Sequence, residues 1–311
     1  MSKASKKKDV IIITGGGGFI GGHLIKFLRK NFKQKIVCLD LYLPKQKIEG
    51  VTYCKVDITN YARLKNKWQF IEEKIGKINF IFHLAGLVNV PASIASPVKA
   101  YKANINGSVN IFECCRTSKN IKKILLLSTH AVLYNKSPYV TSKLCCEKIA
   151  DSYRVIYKLP IVVCRLANVY GPMQTQDAVI PGIISQMVNS NKVKIGNMDA
   201  IRDFIFVEDA VMALSGIAFT EANGFLGKIV NIGTGHSTSI ANLVRIIQNL
   251  IGFTGKSIID IKRLRNNDDN YILPDVSLLK EALPFVPKNN LEEGLKKTIK
   301  YFKEKAYEKK Y

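Results

Sequence analysis

Tyr139, Lys143 and Thr129 are the side chains whose types and spacing could carry out acid–base chemistry. Tyr139 and Lys143 are four residues apart in YVTSK, and four residues make about one helical turn, so both would lie on one helix face. A neighbouring ammonium favours the phenolate, and moving a tyrosine pKa from about 10 to near 7 takes roughly 4 kcal/mol. Thr129 follows a predicted strand, where its hydroxyl could bind the same reacting oxygen. We therefore expect Tyr139 to act as a general base at neutral pH.

The stretch VIIITGGGGFIGGHL near the start of the chain predicts a buried strand, a glycine-rich turn and a helix. Gly15, Gly18 and Gly21 are spaced three apart, a shifted form of the dinucleotide-binding fingerprint. The first glycine permits a tight turn, the second lets the backbone approach a pyrophosphate, and the third lets the helix lie close to the strand. The turn therefore predicts a dinucleotide site at the helix N-terminus, and an oxidised nicotinamide ring would be a second cation that favours the phenolate.

Two more predicted strands end where they would border this site. The run KIVCLD ends in Asp40, 25 residues after Gly15, close to the position of the carboxylate that binds the adenosine ribose hydroxyls in dinucleotide sites. A carboxylate there repels a 2′-phosphate, so Asp40 favours NAD over NADP. The run INFIFHLAG ends in small residues, where a loop can approach the cofactor closely. We therefore predict NAD as the cofactor.

Apolar strand-like runs alternate with helical patterns over the first half of the chain, as in a doubly wound parallel sheet. The predicted strands include residues 10–13, 35–40, 51–58, 78–86, 122–128 and 161–171, and a helix is predicted over residues 97–116. The predicted fold class is α/β, a Rossmann-type sheet with a smaller, discontinuous C-terminal substrate lobe. Residues 1–168 would form the NAD-binding domain, with returning segments near 202–236, and residues 169–311 would be mainly substrate domain.

Composition narrows the functional classes. The net charge of +23 over 311 residues would attract anionic substrates, but no basic motif is interleaved with aromatic residues, so no specific nucleic-acid role is expected. The seven cysteines include no Cys-x-x-Cys pair, so we expect reduced thiols and no metal site. No apolar run reaches the length of a membrane span and no signal-peptide pattern is present, which predicts a cytoplasmic protein without a membrane span.

Several motifs, in order along the chain, resemble the extended short-chain dehydrogenase/reductase family. They are TGGGGFIG, HLAG, NINGS, YVTSK, RLANVYGP, RDFIFVEDA and VNIGTG. The chain is most similar to the branch of NAD-dependent sugar-nucleotide epimerases and dehydratases, in particular the enzymes like UDP-glucose 4-epimerase. The resemblance extends over essentially the whole chain, and the ordered set is far more specific than any single motif.

The resemblance implies roles for individual residues. The catalytic residues are Thr129, Tyr139 and Lys143. The cofactor-binding residues are Gly15, Gly18, Phe19, Ile20, Gly21, Asp40, Asp57, Ile58, Leu84, Ala85, Gly86, Asn104, Tyr139 and Lys143. The substrate-binding residues are Thr129, Asn168, Arg202, Arg265 and Asp268. Arginines suit a diphosphate because the guanidinium binds its oxygens bidentately. The alternative for Arg202, Arg265 and Asp268 is a solvated surface charge, and it is favoured less for Arg202 than for the other two.

The activity implied by the resemblance is NAD-dependent epimerisation of a nucleotide sugar, namely a UDP-hexose at C4 through a transient 4-keto intermediate. The alternatives are a nucleotide-sugar 4-ketoreductase or dehydratase, or a binding protein that has lost turnover. The acid pair typical of the related dehydratases is replaced by His130 and Ala131. Only nine residues separate Thr129 from Tyr139, which is fewer than is usual in the family, so the sequence does not indicate which sugar is bound. A homodimer through the helices beginning near Pro97 and Pro138 is also implied.

Overall fold

The computed structural model of the protein describes residues 9–134, 137–220, 223–264 and 270–308. These residues form two compact units. The first contains the described residues of 1–132, 136–165 and 211–230, and the second contains those of 133–135, 166–210 and 231–311. Each unit is therefore built from segments that are distant in sequence.

Strands and helices alternate through much of the chain. The strands are β1 (Asp9–Thr14), β2 (Lys35–Asp40), β3 (Val51–Lys55), β4 (Lys77–His83), β5 (Lys123–Thr129), β6 (Ile161–Leu166), β7 (Asn168–Tyr170), β8 (Lys192–Ile195), β9 (Ile201–Arg202), β10 (Phe204–Phe206), β11 (Ile229–Ile232), β12 (Thr238–Ser239), β13 (Lys256–Ile259) and β14 (Tyr271–Ile272). The helices are α1 (Phe19–Asn31), α2 (Tyr61–Phe70), α3 (Val90–Ala95), α4 (Pro97–Tyr101), α5 (Gly107–Thr117), α6 (Pro138–Tyr157), α7 (Val179–Asn189), α8 (Val207–Phe219), α9 (Ile240–Ile251), α10 (Ser277–Ala282) and α11 (Leu291–Glu308).

A seven-stranded sheet forms the centre of the fold, with strand order β11-β6-β5-β4-β1-β2-β3. β1 pairs in parallel with β2 on one side and with β4 on the other, and β2–β3 and β4–β5 are also parallel pairs. The central strand β1 is apolar along its length, and Val10, Ile11, Ile12 and Ile13 have no solvent-exposed surface. A strand buried on both faces is typical of a doubly wound sheet. The predicted Rossmann-type α/β fold is confirmed.

Helices cover the faces of this sheet with buried apolar residues. In α1 the side chains of Leu24, Ile25 and Leu28 are fully buried, at helical spacing. In α2 the indole of Trp68 is buried and its Nε1 donates to the Ser118 hydroxyl at 2.8 Å. Trp68 therefore belongs to the core.

The helix predicted over residues 97–116 is not uniform. α4 ends at Tyr101, a π-helical turn follows over Lys102–Asn106, and α5 begins at Gly107. A π-helical turn adds a residue to the local repeat, so the face presented by α4 does not continue in register along α5. The turn contains Asn104, whose side-chain amide bonds to the loop that follows β4, and a 3.6-residue pattern cannot reveal that contact.

The single strand predicted over residues 161–171 is wrong. β6 belongs to the seven-stranded sheet, whereas β7 pairs in parallel with β10 in a separate two-stranded sheet. Ala167 lies between them and donates its N–H to Ile232, and the next N–H, of Asn168, goes to the Asp203 carbonyl at 3.0 Å. The chain changes partner strands within one residue, which an unbroken apolar run does not show. The segment RDFIF, predicted to return to the main sheet, also forms part of this separate pair.

The second unit contains small sheets and its own helices. β9 pairs antiparallel with β12 and parallel with β14, and β8 pairs in parallel with β13. The side chain of Asp203, between β9 and β10, is buried and accepts hydrogen bonds from the N–H groups of Thr234 and Gly235. This carboxylate fixes the turn of the VNIGTG motif. Within the described ranges, no helix combines the length and apolar character that crossing a membrane requires.

Candidate active site

The glycine-rich turn after β1 forms a cradle at the N-terminus of α1. Gly15 has a φ of +71°, and a Cβ on it would lie 2.8 Å from the Ala85 backbone nitrogen. A Cβ on Gly21 would lie 2.7 Å from the Gly16 Cα. Gly15 and Gly21 therefore have no room for a side chain. Gly18 is exposed, and a Cβ there would meet only the Gly15 carbonyl oxygen, at 3.3 Å.

The open side of this cradle fits a dinucleotide pyrophosphate. Gly18 is the N-cap of α1 and provides no side-chain hydrogen bond to the first turn of the helix. The first N–H groups of a helix have no intrahelical partner, and together with the helix dipole they favour an anion. The residues Phe19 and Ile20, which begin the helix, are partly exposed at this point. The backbone can thus receive phosphate oxygens with little steric obstruction.

Asp40 at the end of β2 faces the same turn. One of its carboxylate oxygens accepts from the Gly17 N–H at 2.9 Å and the other from the Tyr42 N–H at 3.0 Å. Each carboxylate oxygen has a further acceptor position, and the side chain is only half-buried. Its orientation is fixed before any ligand binds, which suits a group that recognises a ribose diol.

The other predicted cofactor residues lie beyond the ends of β3 and β4. Asp57 is half-buried and accepts the Thr59 N–H at 2.9 Å, whereas the side chain of Ile58 is buried. After β4, the N–H of Leu84 donates to the Thr14 carbonyl, and that of Ala85 to the Thr14 hydroxyl at 3.1 Å. Parallel strands place their carboxyl ends along one edge of a sheet, where α/β folds bind ligands.

Asn104 holds the loop after β4 to helix α6. Its Oδ1 accepts the Leu87 N–H at 2.7 Å, and its Nδ2 donates to the Leu87 carbonyl and to the Ser142 hydroxyl. A Cβ on Gly86 would lie 2.5 Å from the same Oδ1. Both amide hydrogens of Asn104 are therefore used within the protein. Its predicted contact with the cofactor stays a prediction, and what the structure gives it is a scaffolding role.

A buried chain of hydrogen bonds lies under the ends of β1 and β4. The imidazole of His83 contacts the Thr14 hydroxyl at 2.8 Å and the Ser108 hydroxyl at 2.9 Å. Burial lowers the pKa of His83 to about 3, and the charge of Lys143 adds to this effect. His83 is thus a neutral packing residue that fixes Thr14, which in turn holds the Ala85 N–H.

Tyr139 and Lys143 lie one turn apart near the beginning of α6. The Ser137 hydroxyl caps this helix and Pro138 is its first residue, as expected for a helix start. The N–H of Tyr139 donates to the Ser93 hydroxyl at 3.1 Å, which ties α6 to α3. The Nζ of Lys143 is buried and donates to the Leu127 carbonyl at 2.8 Å. Thr129 is the last residue of β5, and its side chain lies near enough to the Tyr139 phenol to lower the pKa of that phenol.

In the protein chain alone, burial sets the pKa of Tyr139, and its ionisation beside bound NAD at neutral pH stays a prediction. Burial raises the pKa of Tyr139 to about 12, and the hydrogen bond with Thr129 offsets this only in part. Burial also lowers the pKa of Lys143. Both shifts have the same cause, since desolvation penalises whichever form carries charge. The spacing of the two residues was predicted from the sequence, but the extent of their burial was not.

Three polar side chains near Tyr139 and Lys143 were not predicted from the sequence to belong to the site. Arg165 in β6 donates to both oxygens of Glu147 in α6, at 2.9 and 2.6 Å, and the Ser128 hydroxyl donates to Glu147 at 2.5 Å. The signal available was the spacing of Glu147, four residues after Lys143, which puts it on the same helix face.

The predicted substrate residues Asn168 and Arg202 both lie in the second unit. Asn168 is exposed at the start of β7, and its Nδ2 donates to the Asp203 carbonyl at 3.2 Å. Arg202 in β9 is almost buried, and its guanidinium donates to the Ile201 carbonyl at 2.8 Å. Arg265 and Asp268 lie outside the described residues. Where side chains are described, no cluster of three or more His, Cys, Asp or Glu could hold a metal ion.

The sequence model of the NAD dependent epimerase/dehydratase family matches residues 11–233. The chain belongs to this family. The match spans the glycine cradle, the Tyr139–Lys143 pair and both described substrate candidates. NAD is the cofactor that the family description names, and the cradle and Asp40 fit such a dinucleotide.

The chain is similar to sugar-nucleotide epimerases and also to sugar-nucleotide dehydratases, such as the human dTDP-D-glucose 4,6-dehydratase at 27% identity over 94% of this chain and 90% of the relative. The UDP-glucuronate 4-epimerase of Thermodesulfobacterium geofontis is 29% identical, over 94% of this chain and 96% of the relative. The UDP-glucose 4-epimerase of Thermotoga maritima, solved with UDP-glucose, has a TM-score of 0.85 at 26% identity, covering 96% of this chain and 99% of that one. The UDP-N-acetylglucosamine 4-epimerase of Methanobrevibacter ruminantium, in complex with UDP-N-acetylmuramic acid, has a TM-score of 0.82 at 30% identity, covering 96% and 99%.

Proposed function

We propose that the protein is an NAD-dependent epimerase that inverts C4 of a UDP-linked hexose. The observation that carries this proposal is that Thr129, at the end of β5, lies beside the Tyr139 phenol, with Lys143 one helical turn away in α6. A phenol and a neighbouring hydroxyl can bind one substrate oxygen together, and a side chain positioned in this way can transfer a proton at a sugar hydroxyl. The 4-epimerase relatives point to the same chemistry at C4.

The roles of the chain's own residues follow from their positions. Tyr139 takes the proton from the sugar hydroxyl and returns it, and Thr129 hydrogen-bonds the same oxygen and orients it. Lys143 supplies positive charge next to the phenol and holds the nicotinamide ribose. When bound, NAD supplies the hydride acceptor and donor, and also the positive ring that favours ionisation of Tyr139.

The cofactor would be held by the first unit. The glycine cradle would receive the pyrophosphate at the N-terminus of α1, and Asp40 would bind the ribose hydroxyls of the adenosine. Asp57 and Ile58 would border the adenine, and the segment from Leu84 to Gly86 would line the nicotinamide half. These assignments are supported by the exposure of Gly18 and the fixed orientation of the Asp40 carboxylate.

The nucleotide part of the substrate would be recognised by residues of the second unit. Asn168 is exposed, its Nδ2 donates to the Asp203 carbonyl, and its amide oxygen would accept a hydrogen bond from the substrate. Arg202 would pair with a phosphate, because a guanidinium can bind phosphate oxygens bidentately. Arg265 and Asp268 are proposed for the same task on the family resemblance alone.

A second copy of this chain is the partner that we propose. Apolar side chains on α3, α4 and the start of α6 are exposed: Ile94 is 62% exposed, Val98 75%, Tyr101 37% and Leu144 37%. We call these four residues the α3–α4–α6 face. Scattered apolar residues on a surface are ordinary, but a cluster on adjoining helices favours an interface.

The test is turnover of UDP-glucose by the purified protein supplied with NAD. We expect NMR to show UDP-galactose without lasting NADH absorbance. Tyr139→Phe should abolish this conversion, because phenylalanine cannot accept a proton, and the matched control Tyr157→Phe changes an exposed tyrosine at the far end of the same helix. UDP-glucuronate and UDP-N-acetylglucosamine should be assayed in parallel, because the sequence does not indicate which sugar is bound. Accumulation of NADH, or a dehydrated product, would instead indicate a reductase or a dehydratase.

A further inference from the structure

We propose that Glu147 is a positioning residue for the candidate active site. It attaches the face of α6 that carries Tyr139 and Lys143 to the end of β5, and it provides a negative charge near Lys143. The expected effect of Glu147 on catalysis rests on the proposed function, whereas its expected effect on the titration of Lys143 does not. It also assigns Arg165 and Ser128 as the groups that hold Glu147 in place.

The first step of the argument is the helix face. Tyr139, Lys143 and Glu147 follow each other at intervals of four residues in α6, so their side chains form one stripe along the helix. A phenol, an ammonium and a carboxylate therefore succeed one another from the N-terminal end. Arg165 extends this line from the neighbouring strand β6, since it binds both oxygens of Glu147.

The second step is the double attachment of this stripe to β5. Lys143 donates to the carbonyl of Leu127 at 2.8 Å, and the hydroxyl of the next residue, Ser128, donates to Glu147 at 2.5 Å. The residue after Ser128 is Thr129, the hydroxyl partner of Tyr139. Two successive residues of the strand are thus bonded to two successive turns of the helix. We infer that this attachment fixes the position of α6 relative to the end of β5, and with it the position of Tyr139 relative to Thr129.

The third step is burial. The side chain of Glu147 is 4% exposed and that of Arg165 is 11% exposed. An ion pair so far removed from water is costly unless its geometry is good and its other hydrogen-bond positions are filled. Here the pair is bidentate and Ser128 provides a third donor to the carboxylate. Buried pairs of this kind add little to stability compared with apolar packing, which favours a role in positioning or charge.

The fourth step is the charge environment of Lys143. The groups of its own helix that act on it are Cys146 and Glu147, and both oppose the lowering of its pKa by burial. His83 faces it from β4 and is neutral, because burial lowers the pKa of that imidazole to about 3. Burial raises the pKa of the Cys146 thiol, which keeps it neutral too. Among the described groups that act on Lys143, Glu147 is therefore the one that is a carboxylate.

The experiment compares the titration of Lys143 in wild type and Glu147→Gln by NMR of the lysine side-chain carbons, with Lys143→Met to assign the signal. We expect the Lys143 midpoint to fall by about one pH unit in Glu147→Gln, the size expected for loss of one close opposite charge. Asp151→Asn is the matched control, because Asp151 is the next residue of the stripe but is 62% exposed and paired with Arg154. That control should leave the midpoint unchanged.

A double variant separates charge from folding. Glu147→Gln alone leaves a buried guanidinium without its partner, whereas Glu147→Gln with Arg165→Met removes both charges and should recover part of the lost melting temperature. We expect the Lys143 midpoint to stay low in the double variant, and kcat to fall more than KM rises in both. The proposal would be overturned if the Lys143 midpoint were unchanged in Glu147→Gln. It would also be overturned if, in the double variant, both the midpoint and the melting temperature returned to their wild-type values. Because the NMR titration needs no substrate, absence of turnover in the wild type would refute the proposed function only.

Discussion

Burial decides the chemistry of the individual residues more than their neighbours do. The pKa values of His83, Tyr139 and Lys143 are all shifted in the direction that favours the neutral side chain, and desolvation is the largest cause in each case. Hydrogen bonds then fix the neutral groups in place, as the Thr14 and Ser108 hydroxyls do for His83. At this scale, ionisation of Tyr139 depends on what binds next to it.

The pH dependence of stability should reveal the buried histidine. The pKa of His83 is about 3 in the folded chain and about 6.5 in an unfolded one. Between pH 6.5 and pH 3 the unfolded chain binds a proton at His83 and the folded chain does not. The contribution of His83 to the free energy of unfolding is therefore complete above pH 6.5 and is lost as the pH falls towards 3. We expect a loss of about 1.4 kcal/mol of unfolding free energy per pH unit below 6.5 from this residue.

Urea unfolding between pH 7 and pH 5 measures this loss. His83→Asn should flatten the dependence, because no proton is then taken up by this position on unfolding. His236→Asn is the control for the removal of a histidine from an exposed position. Equal slopes in wild type and His83→Asn would contradict the assignment of His83 as a buried neutral imidazole.

Single elements position the cofactor and catalytic groups through their ends. β1 ends in the cradle, β2 in Asp40 and β5 in Thr129, and α6 begins with Tyr139 in its first turn. Parallel strands put their carboxyl ends on one edge, so residues distant in sequence meet there without long loops. The helix beginnings add N–H groups and dipoles at the cradle.

The cradle can be tested with a matched pair of glycines. Gly15→Ala places a Cβ 2.8 Å from the Ala85 nitrogen at a φ of +71°, whereas Gly252→Ala has a φ of +74° and nothing within 4 Å. Alanine in the left-handed region costs about 1 kcal/mol in either position. We expect Gly15→Ala to lose clearly more melting temperature and at least tenfold in NAD affinity by calorimetry, and Gly252→Ala to bind NAD normally. Similar losses in both variants would show that steric crowding at the cradle is unimportant.

The whole molecule combines a large basic surface with an exposed apolar cluster. The net charge is +23, which suits an anionic substrate and also makes self-association costly unless an interface buries enough apolar area. The α3–α4–α6 face is the cluster that we propose for such an interface. It belongs to the first unit and is formed by side chains next to the beginning of α6.

Oligomeric state tests this face directly. Val98→Asp should convert a dimer to a monomer in sedimentation velocity, because a buried unpaired carboxylate is unfavourable in an apolar interface. Val286→Asp is the matched control, since Val286 in the second unit is 74% exposed and Val98 is 75% exposed. A wild-type monomer, or a Val98→Asp dimer, would exclude this face as the contact.

The amino-acid sequence by itself determined the features that depend on local spacing. The strand, turn and helix around Gly15, the end of β5 at Thr129 and the common helix face of Tyr139 and Lys143 could all be predicted, because side-chain periodicity and glycine requirements are properties of neighbouring residues. The Rossmann-type fold followed from the alternation of such elements.

Only the tertiary structure decided the features that depend on distant partners or on removal from water. The raised pKa of Tyr139, the scaffolding bonds of Asn104 and the Glu147–Arg165 pair each need residues from several elements. The end of β6 before Ala167 likewise depends on Ile232 and Asp203, more than thirty residues away. Desolvation and long-range hydrogen bonding are set by packing of the folded chain, and a linear pattern of residues does not contain them.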